Sequence, residues 1–136
     1  MRTVDTVREA VGIAAFAILF SLPAVAADLN GVWASDARVC EKIFVKNAGG
    51  VVFRDDSDMY GSGFIIDANK IRGRTATCNI TSRKEDAGVV HILASCATDI
   101  MLSSVQFSVK QVDQDKLTRF FPGIPEMEMF YERCRI

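Results

Sequence analysis

Beyond residue 28 the apolar residues recur at period two in short runs, punctuated by clusters of Gly, Asp and Asn. Successive side chains of a strand point to opposite faces, so this rhythm marks half-buried strands. No window sustains the 3.6-residue apolar period of an amphipathic helix. The chain is therefore expected to be all-β. Lys42–Lys46 and Val51–Asp55 flank Asn47-Ala48-Gly49-Gly50, a hairpin that sets Phe44 opposite Phe53 and Lys42 opposite Asp55. Ser62–Ile66 and Ile71–Arg74 flank Asp67-Ala68-Asn69-Lys70, a second hairpin. Ala76–Lys84 and Val89–Thr98 flank Asp86-Ala87-Gly88, read as a three-residue loop with glycine at its left-handed position. Leu102–Val112 turns Val105, Phe107 and Val109 to one face and polar residues to the other, then returns through Asp113-Gln114-Asp115 into Lys116–Phe121. Pro122-Gly123-Ile124-Pro125 is a stiff loop before the last strand, Glu126–Cys134, in which Met127, Met129 and Tyr131 share a face.

Eight to nine strands joined by short turns predict a small antiparallel meander. Such a meander removes its exposed edges by closing into a barrel. A β-sandwich is the alternative.

The four cysteines are Cys40, Cys78, Cys96 and Cys134, and no two form a C-x-x-C pair. That spacing speaks against zinc or thioredoxin-type redox chemistry. The register of the third hairpin puts Cys78 directly opposite Cys96, close enough to bridge. Cys40–Cys134 follows by remainder and ties the first strand to the last.

Residues 1–27 carry Arg2 and Arg8, an uncharged apolar run and then Pro23 and Ala24-Val25-Ala26, the small-x-small pattern of a cleavable export signal. Cleavage after Ala26 or after Ala27 fits equally well. Asp5 and Glu9 weaken the basic start, and Ala10–Ala27 just reaches the length of an uncleaved anchor. Pro23 and the lack of a basic stop-transfer cluster favour cleavage. No cysteine stands at the cleavage point, which excludes a lipoprotein anchor. Residues 28–136 then form a single disulfide-stapled β domain in the periplasm or outside the cell, with no membrane span after cleavage. The formal net charge is −1 with both signs interspersed, so nothing steers the domain toward nucleic acid.

Gly31-Val32-Trp33 stands at the entrance to the first strand. A Gly-x-Trp in that place resembles the lipocalin and avidin group of small exported barrels, and the periplasmic metalloprotease-inhibitor barrels. The resemblance implies that Trp33 plugs one end of the barrel against an arginine from a late strand, Arg119 or Arg133. It supports the fold more than any activity, because one fold hosts many functions.

No constellation of catalytic, cofactor-binding or metal-ligating residues is evident. His91, the single histidine, lies between Val90 and Ile92 with no sequence signature of a nucleophile or carboxylate partner. Asp56, Asp58, Gly61 and Asp67 match a calcium loop only in part, with Tyr60 at its fifth position, and read better as a solvated turn. Arg72-Gly73-Arg74 and Arg83-Lys84 read as exposed strand positions. Phe121 and Ile124, on the proline-stiffened loop, either anchor a partner or cap the core. The expectation is an exported, non-catalytic, cofactor-free binding protein, possible inhibitors included, whose partner is a protein. The alternative is a carrier holding a small apolar ligand in an internal cavity.

Overall fold

The computed structural model describes residues 27–136. Apart from Ala27, the expected signal over residues 1–27 lies outside them. Ten strands form: β1 (Gly31–Ala34), β2 (Phe44–Asn47), β3 (Gly50–Phe53), β4 (Gly63–Asp67), β5 (Lys70–Arg72), β6 (Thr77–Asp86), β7 (Val89–Ala97), β8 (Leu102–Asp113), β9 (Lys116–Phe121) and β10 (Ile124–Cys134). Strands β4 to β10 are an antiparallel meander, and β1 pairs with both β4 and β10 to close it into an eight-stranded barrel. Closure leaves the sheet no full-length edge strand. Among the described residues no helix is long and apolar enough to cross a membrane.

The first expected hairpin pairs Phe44 with Phe53, and their ring centroids lie 4.8 Å apart with the planes tilted by 52°. It stands outside the barrel as a separate two-stranded sheet. Lys42 does not oppose Asp55, because Cys40–Ile43 forms one helical turn, α1. Lys42 instead places its ammonium 5.2 Å from the Tyr60 ring. The turn and hairpin bury Ile43 and Phe44 against Ala34 and Ile65 on the outer wall, a second core beside the one within the barrel. Gly63 permits that approach, since a Cβ there would lie 2.7 Å from Phe44 and 2.6 Å from the Trp33 carbonyl.

Both disulfides form as the sequence predicts. Cys40, however, lies in α1 rather than on a strand, so its bridge pins the helical excursion to the end of β10. The β6–β7 turn has two residues, not three: Asp86 pairs with Val89, and Ala87 and Gly88 both have positive φ, 49° and 80°. That is the pattern of the tight turns whose twist suits a hairpin. Carried on regularly, it would oppose Cys96 to Asn79. A bulge between Ile80 and Ser82 shifts the register by one residue and brings Cys78 opposite Cys96, with Cα atoms 3.9 Å apart. The extra residue, Thr81, hydrogen-bonds its hydroxyl to the Leu93 carbonyl at 3.0 Å.

Pro122-Gly123-Ile124-Pro125 is shorter as a loop than expected. Phe121 pairs with Ile124, leaving Pro122-Gly123 as the turn with Gly123 at φ 88°, a position that favours glycine. Ile124 already belongs to β10, and a register shift follows between Ile124 and Glu128.

Candidate functional site: the open end of the barrel

The turns divide between two ends. Gly31, the β4–β5, β6–β7 and β8–β9 turns and the end of β10 gather at one. The β5–β6, β7–β8 and β9–β10 connections gather at the other.

The first end is closed. Trp33 is fully buried and donates its indole N–H to the Leu29 carbonyl at 3.0 Å. The Arg133 guanidinium lies 4.2 Å from the Trp33 ring. Its Nε donates to the Gln114 carbonyl at 2.9 Å, and its terminal nitrogens donate to the Asn30 and Asp28 carbonyls. Asp115 adds a carboxylate at 3.6 Å. Gly31, at φ 141°, is required here twice over, because a Cβ would also collide with that guanidinium. Of the two arginines the Gly-x-Trp pattern allowed, Arg133 is the plug.

Arg119 does something else. On β9, Leu117, Arg119 and Phe121 alternate with Lys116, Thr118 and Phe120. Leu117 belongs to the barrel core, so Arg119 is turned inward. The rings of Phe107 and Phe121 lie 4.3 and 4.6 Å from its guanidinium. Its Nε is buried without a hydrogen-bond partner, and it makes no ion pair with any described residue. Arg119 lines a cavity of about 180 Å³ at the second end, walled by Phe64, Ile71, Phe107, Cys78 and Tyr131. Tyr131 is 3% exposed, and its hydroxyl meets only the Met129 thioether, at 3.7 Å. Sulfur is a weak acceptor, and buried tyrosine hydroxyls ordinarily find a better one. Two residues with under-partnered donors, Arg119 and Tyr131, therefore line one mainly apolar chamber.

Phe121 is half-buried as one of the two rings against Arg119, whereas Ile124 is 52% exposed at the rim. Ile100 and Leu102, in and beside the β7–β8 connection at the same end, are 91% and 80% exposed. Period-two patterning located neither the Arg119 chamber nor this lip. The available signal was an arginine standing in the inward register of β9, between Leu117 and Phe121.

His91 lies on the outer wall. Its Nδ1 is 2.8 Å from Ser108 Oγ, which also accepts from Gln106 Nε2 at 3.3 Å. The sequence offered no nucleophile within reach, yet the β7–β8 register supplies one by pairing His91 with Ser108. No described carboxylate orients the imidazole, and Ser108 is 4% exposed. The acidic turn is organised by Arg74, which leaves the end of β5 rather than lying on it. Arg74 donates to the Arg54 and Asp55 carbonyls and to the buried Ser57 hydroxyl. No group of three or more metal-ligating side chains gathers among the described residues. Of the wider hollows, those of about 730 and 460 Å³ are grooves beside the Asp36–Arg38 ion pair, one of about 290 Å³ is lined by His91, Ser108 and Phe121, and one of about 240 Å³ by Lys42, Arg54 and Tyr60.

Comparison with protein-family models, curated proteins and solved structures returned no match.

Proposed function

We propose that this is an exported, non-catalytic binding protein that holds a small ligand in the open end of its barrel, in the manner of the lipocalin and avidin group. The observation that carries this is the asymmetry of the barrel: Trp33 and Arg133 seal one end, and the other keeps an apolar chamber of about 180 Å³. Ligand sites are concave and mostly apolar with a few placed polar groups. This chamber falls below the drug-sized range of roughly 300–1,000 Å³, so the ligand is smaller than a drug. Two disulfides suit an oxidising exterior or periplasm.

A protein partner docking at the same end is the second reading. The exposed Ile100, Leu102 and Ile124 around the rim favour it.

Organic extraction and mass spectrometry of the oxidised protein, purified from its native compartment, tests the first. The expected result is a low-mass organic compound released on unfolding and absent from a variant whose chamber is filled by Ala76→Trp. Equal recovery from both would contradict it. His91→Ala is expected to leave ligand recovery unchanged.

A further inference from the structure

We infer that the open-end chamber selects a small organic carboxylate, an anionic head on a short apolar body, and that Arg119 and Tyr131 are its recognition residues. This rests on the binding function proposed above and names its ligand class.

A guanidinium set among apolar side chains is costly unless a charge and hydrogen-bond acceptors compensate it. The protein supplies Arg133 with three carbonyls and a carboxylate. It supplies the half-buried Arg119 with ring faces and leaves its buried Nε without an acceptor. The Phe107 and Phe121 rings, 4.3 and 4.6 Å from the guanidinium carbon, contribute no acceptor, so its N–H edge remains the route for hydrogen bonding. That edge is a planar fork matched to the two oxygens of a carboxylate. The Tyr131 hydroxyl, with only a thioether as partner, is a further donor at the same chamber.

The walls decide the rest of the ligand. Besides Arg119, Tyr131 and Ser62 the lining is apolar, with Phe64, Ile71 and Phe107 prominent, so an inorganic anion would recover only part of the hydration it loses there. A hydrocarbon body recovers that loss by burying its own surface. A long chain exceeds about 180 Å³, which limits the body to a short aliphatic or single-ring group.

The test is an NMR titration of the oxidised protein with sodium hexanoate and sodium benzoate against hexanamide and benzamide, with sodium sulfate at matched ionic strength. The carboxylates are expected to shift Phe64, Phe107 and Phe121 resonances saturably and to bind at least tenfold more tightly than the amides. Sulfate is expected to shift none of them. Arg119→Gln should abolish the preference for acid over amide while leaving amide binding in place. Arg119→Lys should retain part of it, and Tyr131→Phe should weaken the acids several-fold. A thermal melt of each variant confirms its fold before binding is measured. Acid and amide binding equally in the chamber would overturn anion selection and leave the binding function standing. Neither binding there would overturn both. Unchanged preference in folded Arg119→Gln would remove Arg119 from the site.

Discussion

Each end of the barrel sets an arginine against aromatic rings, and the two arginines are treated in opposite ways. Arg133 lies 4.2 Å from the Trp33 ring, its nitrogens donate to three carbonyls, and the Asp115 carboxylate sits 3.6 Å away as a charge partner. Arg119 is gripped by Phe107 and Phe121 at similar distances, and its Nε has no acceptor. The ring contacts are alike, so they do not separate a structural arginine from a recognition arginine. Hydrogen-bond saturation does. A saturated guanidinium holds loops together, and an unsaturated one in a chamber waits on an acceptor from outside.

The disulfides offer the largest contrast between the ends. Cys40–Cys134 spans 94 residues and reaches the closed end beside Arg133, whereas Cys78–Cys96 spans 18 and lines the open-end chamber. In the chain-entropy model a loop near 100 residues is worth about 4.7 kcal/mol and a 15-residue loop about 3. Denaturant titration of the two paired Cys→Ala variants should rank them in that order. A greater loss at Cys78–Cys96 would show that the open end carries more of the fold than its chamber implies.

The rim sharpens the contrast within one turn. Phe121→Ala removes a half-buried ring from Arg119 and should cost about 1–2 kcal/mol. Ile124→Ala, at a half-exposed position, should stay within about 0.5 kcal/mol. Thermal melts decide it, and a large loss at both would make the pair a core cap instead of a rim.

The smallest effect belongs to a third arginine pair, at the surface. Arg38 donates to both carboxylate oxygens of Asp36, with the shortest contact 2.6 Å, and its backbone N–H donates to Oδ1. The Arg38 side-chain hydrogen bonds, then its backbone one, lower the Asp36 carboxyl from 3.8 to about 2. A depressed carboxyl stabilises the folded state above its unfolded value, and that contribution fades as pH falls from 3.8 through about 2. Carboxyl-detected NMR titration should place the Asp36 midpoint near 2, well below the ordinary carboxylate range. An ordinary midpoint would remove the pair.

Much of the fold was legible because period-two patterning and turn residues report local geometry. Phe44 opposite Phe53 and the inward set Val105, Phe107 and Val109 follow from it directly. A three-residue turn predicts the Cys78–Cys96 pairing, whereas the molecule combines a two-residue turn with a bulge at Thr81, and the two shifts cancel at the cysteines. Alternation cannot reveal a bulge. Nor does it distinguish a hairpin in the barrel wall from one outside it, such as β2–β3. The chamber was hidden because its polar members sit on different strands, Arg119 on β9 and Tyr131 on β10, and only closure brings them to one cavity. The plug was legible down to two arginines, and choosing Arg133 required knowing which end each one faces.

One pair of substitutions bears on all of this. Methionine keeps much of the length and apolar contact of arginine while removing its charge and donors. Arg133→Met orphans the Asn30, Asp28 and Gln114 carbonyls and leaves Asp115 without this partner, and should cost about 2–4 kcal/mol. Arg119→Met removes a half-buried charge whose Nε has no acceptor and should be neutral or stabilising, by up to about 1 kcal/mol. Guanidinium denaturation of the two oxidised variants beside the parent measures both. A clear loss in Arg133→Met with none in Arg119→Met is the result predicted for a sealed end and a receptive end. Equal losses would contradict it and make Arg119 a second structural arginine.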